Sequence, residues 1–209
     1  MPAEVPSRKE RKRQRCHLVI VSAALRLFAQ KGYHGVSMQE IAAAAEVATG
    51  TLYNFFPSKE ELFFEVLASS AEQGLGLILP VLEGPGDEWQ RLACFIRAHE
   101  QVVREHSLAL QLYLLDSRGR YLPGPKIEAK RKEIDDRVLS RLSQVIAAGV
   151  AKGLLNEVDP VIAAKSLVAT LDSMILVAPQ IDDLREELKG VETLFFRALV
   201  KPSGDRRDA

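Results

Sequence analysis

Cysteine is scarce: Cys16 and Cys94 are the only two among 209 residues. That is too few for the cross-linking that props up small secreted folds, and no Cys/His spacing gathers a zinc ion. Both read as ordinary thiols of a reducing cytosol. Long apolar runs are missing too. Residues 19–28 are apolar but are interrupted at helical spacing by Ser22 and Arg26, and no unbroken run reaches the roughly 20 residues of a bilayer span. The charged N-terminus lacks a following signal-peptide core. A cytoplasmic protein with no membrane segment is expected. Aromatic residues make up only 6% of the chain, and the formal net charge is zero.

Catalytic apparatus is equally sparse. The chain has no zinc-protease helix motif, Walker-type loop, nucleophile elbow or CxxC pair. The Gly84-Pro85-Gly86 turn lacks the lysine and glycine spacing of a phosphate cradle. His99 and His106 stand seven apart on one helix face without a third ligand, so they read as satisfied or exposed histidines. No catalytic residue, cofactor or metal site is expected. An alternative reading, a small helical enzyme or a protein-interaction adaptor, finds no motif to carry it.

What the chain does have is a charge gradient. Through residue 59 there are nine Lys/Arg against four Asp/Glu, a surplus of five, and the remainder is acidic by the same amount. A basic head on an acidic body favours a polyanion at one end only. The surplus is concentrated in Arg8, Lys9, Arg11, Lys12, Arg13 and Arg15.

Apolar periodicity is helical throughout, with no alternating strand pattern, and all-α is the expected class with about nine helices. Leu18, Val21, Leu25 and Phe28 stripe a helix over 10–31, closed by Lys31-Gly32. Ser37 and Glu40 form a capping box for a second helix. After a turn at Ala45-Glu46-Val47 a third short helix covers 49–56, anchored by Leu52 and Phe56. Ser58 and Glu61 then cap a longer helix to about Leu79. Beyond a Pro/Gly loop, helices are expected at 87–106, 107–116, 127–151, 160–179 and 183–200. The organisation predicted is a flexible basic arm (1–9), a helix-turn-helix DNA-binding domain (10–57), a helical effector-binding and dimerisation domain (58–201) and a disordered tail (202–209).

Phe28-Ala29-Gln30-Lys31-Gly32-Tyr33, Val36-Ser37, Ile41-Ala42 and Gly50-Thr51-Leu52-Tyr53 with Phe56 and Lys59 resemble the TetR family of transcriptional regulators in residue type, order and spacing. The resemblance covers roughly residues 14–62. It implies a homodimeric repressor whose heads bind a palindromic operator in double-stranded DNA, and which a small, largely apolar effector releases. Carried onto this chain, the DNA-contacting set is Ser37, Thr49, Thr51, Tyr53, Asn54 and Lys59, with Arg13 and Arg15 of the basic run. Two positions depart from the family pattern. Ala48 stands where a capping residue is usual, and Glu46 replaces a frequent turn glycine. Phe55 is expected either to touch a thymine methyl or to pack.

In the body, Trp89, Phe95, His99, Tyr113, Tyr121 and Met174 are candidate effector-pocket residues, against the plainer reading of core. Leu167, Leu171 and Ile175, with Val191 and Phe195, are candidates for a dimer interface built from the last two helices of each subunit, an arrangement that the resemblance implies and that suits two-fold symmetry.

Overall fold

A computed structural model describes residues 7–117, 125–177 and 181–199. Within them the chain forms eight helices: α1 (Arg8–Lys31), α2 (Met38–Ala44), α3 (Thr49–Phe55), α4 (Lys59–Leu82), α5 (Glu88–Ser117), α6 (Pro125–Ala151), α7 (Pro160–Val177) and α8 (Ile181–Leu199). The count falls one short of expectation at a single place. The helices predicted at 87–106 and 107–116 are one, kinked at His106, whose φ of −132° and ψ of 25° leave the helical region. No glycine or proline stands there to end the helix, so it bends and resumes.

Helix α1 starts earlier than its apolar stripe suggests. The Ser7 hydroxyl accepts from the Glu10 amide at 3.2 Å, and the Glu10 carboxylate accepts from the Ser7 amide at 2.7 Å, a reciprocal box. Arg8 and Lys9 are therefore helical rather than part of a loose arm, and the cationic run decorates the first two turns. Positive charge at the positive end of a helix is locally unfavourable, so this run needs a reason beyond the stability of α1. Residues 1–6 of the expected arm, and the expected tail, lie outside the described residues.

Helix α4 likewise passes its expected end. Pro80 sits inside its last turn and the helix runs on to Leu82, which is buried in the body. Asp87 and Gln90 exchange caps at the start of α5, and Asp159 accepts from the amides of Val161 and Ile162, each at 2.9 Å, ahead of Pro160.

Two apolar cores result. The head core joins Ile20, Ala24 and Phe28 of α1, Met38 and Ile41 of α2, Leu52 and Phe56 around α3, and Leu62, Phe63, Val66 and Leu67 of α4. Phe28, Tyr33 and Phe63 meet there, Phe63 edge-on to each of the others at 5.0 Å. Leu112 of α5 and Ile127 of α6 belong to this core as well. The head therefore takes packing residues from well beyond residue 57. The body core gathers Leu75 and Leu82 of α4, Leu92, Phe95 and Ile96 of α5, Leu142 and Ile146 of α6, Leu167 and Leu171 of α7, and Leu184, Leu188 and Val191 of α8. Each fully buried side chain of this kind contributes about 1.5–3 kcal/mol.

Among the described residues, α4 alone is long and apolar enough to suit a bilayer by length and composition. Its apolar face is used otherwise: the first half packs in the head core and the second half in the body core.

Candidate DNA-binding face and body cavity

The α2–α3 unit is fixed by short-range bonds. The Ser37 hydroxyl accepts from the Glu40 amide at 3.2 Å, and the Glu40 carboxylate takes hydrogen bonds from the Ser37 amide and from Lys31 Nζ at 2.8 and 2.9 Å. The Lys31 bond first, then those from Ser37, hold this carboxyl down to about 2. Ser37 is half-buried and serves as the cap of α2.

At the other end of α2, the Glu46 amide donates to the Ala43 carbonyl at 3.1 Å and the Val47 amide to the Ala42 carbonyl at 3.0 Å. This bonding reverses the chain through one left-handed residue. That residue is Glu46, at φ 54°, the only described non-glycine with positive φ. The corresponding position after α6 is Gly153, at φ 68°. Replacing Glu46 by glycine should relieve the left-handed penalty and stabilise the protein by about 0.5–1 kcal/mol. Urea unfolding would register this as a higher midpoint at unchanged slope, whereas a lower midpoint would contradict a strained turn.

Helix α3 begins without a side-chain cap, because Ala48 is its N-cap and Thr49 is already the first helical residue. Leu52 and Phe56 are buried and pin the helix to the head. The face opposite is thereby turned outward: Tyr53 is 45% exposed, Asn54 is exposed, and Thr49 and Thr51 are half-buried. Phe55 packs against the head core and also lies under the Arg13 guanidinium, 5.7 Å from the ring centroid. That contact ties the cationic start of α1 to the end of α3, so Arg13 shares a surface with the outward face of the helix. Arg15 is exposed on the same stretch of α1.

Lys59 is placed differently from the sequence expectation. Its ammonium donates to the carbonyls of Tyr33 and Val36, both at 2.9 Å, and sits 4.4 Å from the centre of the Tyr33 ring. It clamps the α1–α2 loop to the start of α4 rather than standing free as a phosphate ligand.

In the body, a cavity of about 270 Å³ lies between four helices. Ser70, Ala71, Gly74, Leu75 and Ile78 of α4 form one wall; His99, Val102 and His106 of α5, the next; Ile134, Asp135, Val138 and Leu139 of α6, the third; and Lys165, Val168, Ala169 and Asp172 of α7 complete it. Small residues on α4 make the space, since a side chain even as small as alanine at Gly74 would reach contact with Val102 at 3.6 Å.

His99 is 8% exposed, and its Nδ1 lies 2.8 Å from the Phe95 carbonyl. A carbonyl only accepts, so Nδ1 carries the proton. Burial drives the imidazole pKa down to about 4 despite that bond, and the ring is neutral. Nε2 is therefore the acceptor nitrogen of the ring.

Of the aromatic and polar residues proposed for the pocket from sequence, His99 alone among the described ones lines it. Phe95 is fully buried in the body core and meets the His99 ring edge-on at 4.8 Å. Trp89 is exposed and away from the cavity, and Met174 packs against the body core. Tyr121, and the side chains of Tyr113 and Ile175, lie outside the described residues. His106, read from sequence as a satisfied or exposed residue, is on the wall. The available signal was the run of small residues in α4 around Ser69, Ser70, Ala71, Gly74 and Gly76.

The interface candidates divide likewise. Leu167, Leu171 and Val191 are spent in the chain's own core, and Phe195 is half-buried against it. Among the described side chains of α7 and α8, the large apolar ones left outside are Val161, Ile162 and Leu194, at 49%, 64% and 65% exposure.

Residues 20–66 match the family model for bacterial regulatory proteins of the tetR family. Over 167 residues the chain is 30% identical to the HTH-type transcriptional regulator RutR of Escherichia coli (strain K12), spanning 78% of this chain and 75% of RutR. The chain belongs to the TetR family. It is a DNA-binding transcriptional regulator with a helix-turn-helix head, and not an enzyme. Solved structures share the fold of this TetR-family protein. The regulator PfmR from Thermus thermophilus superposes with a TM-score of 0.74 at 26% identity, covering 87% of this chain and 99% of PfmR. FadR from Bacillus subtilis, solved in complex with stearoyl-CoA, gives 0.72 at 24% identity over 85% of this chain and 96% of FadR.

Proposed function

We infer that this TetR-family regulator is a homodimeric repressor working in the cytoplasm, its two heads seated on the half-sites of a palindromic operator and released when a small, largely apolar effector enters the body cavity. The carrying observation is the sharing of helices. The α4 and α5 walls of the cavity also supply Leu62, Phe63, Val66, Leu67 and Leu112 to the head core. An occupant that spreads α4 from α5 displaces the head that those helices hold, and it acts by binding the spread state better than the DNA-competent one.

On the DNA side, Thr51, Tyr53 and Asn54 read base edges while Thr49, Arg13 and Arg15 hold phosphates. Ser37 and Lys59 serve by fixing α2 and α4. Dimerisation uses the outer faces of α7 and α8 around Val161, Ile162 and Leu194, backed by Leu167, Leu171 and Val191 from within. The stearoyl-CoA held by FadR supports the notion that a cavity in this fold takes a ligand with an apolar chain.

The test combines sedimentation with operator selection. Binding-site selection on the purified protein should yield an inverted repeat, with two chains per duplex, and micromolar protein should sediment as a dimer. A persistent monomer, or a selected site without two-fold symmetry, would contradict the proposal.

A further inference from the structure

The cavity carries a chemical signature narrower than "apolar", and the inference drawn from it rests on the cavity being the effector site. Three observations define the signature. Its walls are aliphatic over most of α4, α6 and α7, through Ala71, Leu75, Ile78, Val138, Leu139 and Val168. At about 270 Å³ it falls just under the roughly 300–1,000 Å³ usual for drug-sized ligands, so it suits a short chain or a single ring system. The third observation is His99, more than nine-tenths buried, on the wall, with one ring nitrogen committed to the Phe95 carbonyl at 2.8 Å and the other left as an acceptor.

A ligand that covers Nε2 without donating to it strands the acceptor at a cost, and one that brings a donor avoids it. A ligand carboxylate does the opposite. It has no proton to give to Nε2, and it must surrender its hydration among aliphatic walls. The other imidazole on the wall, His106, is partly solvated, with Nε2 4.0 Å from the Glu105 carboxylate.

We propose that the cavity selects a small, mostly aliphatic molecule bearing a hydrogen-bond donor (a hydroxyl, amide or amine), which donates to Nε2 of His99, and that it discriminates against free carboxylates and CoA thioesters of similar chain length. His99 is the residue that sets this specificity. The bulky, polyanionic CoA moiety meets mostly aliphatic walls, and its thioester offers no donor to His99.

Titration calorimetry on the full-length protein with three probes of matched chain length tests it: octan-1-ol, which donates; 1-methoxyoctane, which does not; and octanoate. The alcohol should bind about five- to tenfold more tightly than the ether, the size of one net hydrogen bond, with octanoate weakest. In His99→Phe the alcohol and the ether should bind alike. Equal binding of alcohol and ether to the native protein, or tightest binding by octanoate, overturns the proposal while leaving the cavity as an effector site. If none of the three binds, the effector-site reading falls as well. The native-protein comparison decides the matter even where His99→Phe does not fold.

Discussion

Replacing Thr51 and Tyr53 together by alanine should erase the preference for one operator while leaving a folded protein that still binds duplex DNA. Leu52 and Phe56, which hold α3 to the head, are untouched by the change, and neither substituted side chain is in the buried core. Each base-edge contact is worth about 1–3 kcal/mol of discrimination. Two lost together should weaken binding to the selected operator by roughly 30-fold or more. Binding to unrelated sequence depends on the cations of α1, so its affinity and salt dependence should hardly move. Competition between operator and random duplex measures both quantities at once. If the double variant still ranks oligonucleotides as the native protein does, α3 is not the reading helix.

Acidification should destabilise the fold through His99. Folded, its imidazole titrates at about 4 against an ordinary 6.5 because burial disfavours the cation. The unfolded chain therefore binds the extra proton first. Stability is complete above about pH 6.5 and declines as pH falls toward 4, below which this contribution levels off. Between pH 7.5 and pH 4.5 the loss should be about 2–3 kcal/mol. Glu40, held at about 2 by Lys31 and Ser37, acts in a lower window, between its ordinary 4.5 and 2, so the two effects separate along the pH axis. Urea unfolding at fixed protein concentration across this range, with His99→Phe alongside, isolates the histidine. The variant should lose the slope between pH 6.5 and 4.5, and a variant that keeps it would assign the slope to another group.

The head is readable from sequence because its determinants are local. The Ser37–Glu40 box, the Leu52/Phe56 pair and the helix boundaries all follow from spacings of three or four residues. Lys59 misleads for the converse reason: the carbonyls it clamps, on Tyr33 and Val36, lie 26 and 23 residues away. A stripe of Leu167, Leu171 and Val191 says only that these side chains are buried. Whether they pack against their own subunit or a partner depends on which face of α7 meets α6, and no periodicity encodes that. The cavity is hidden more deeply. Aromatics are the natural candidates to line it, yet Phe95 fills space while Ser70, Ala71 and Gly74 leave it. His99 stands out for its polarity, and its role depends on a neighbouring carbonyl of its own helix.

Because Leu112 and Ile127 are packed into the same core as Phe28 and Phe63, this regulator is a poor donor for modular swaps. A chimera cut at residue 57 would strip the transplanted head of Leu62, Phe63, Val66 and Leu67 as well as Leu112 and Ile127, and leave the recipient with greasy stumps in their place. Grafts that also carry the first half of the fourth helix and the matching stretches of the fifth and sixth are the ones to build when this protein is rewired as a biosensor.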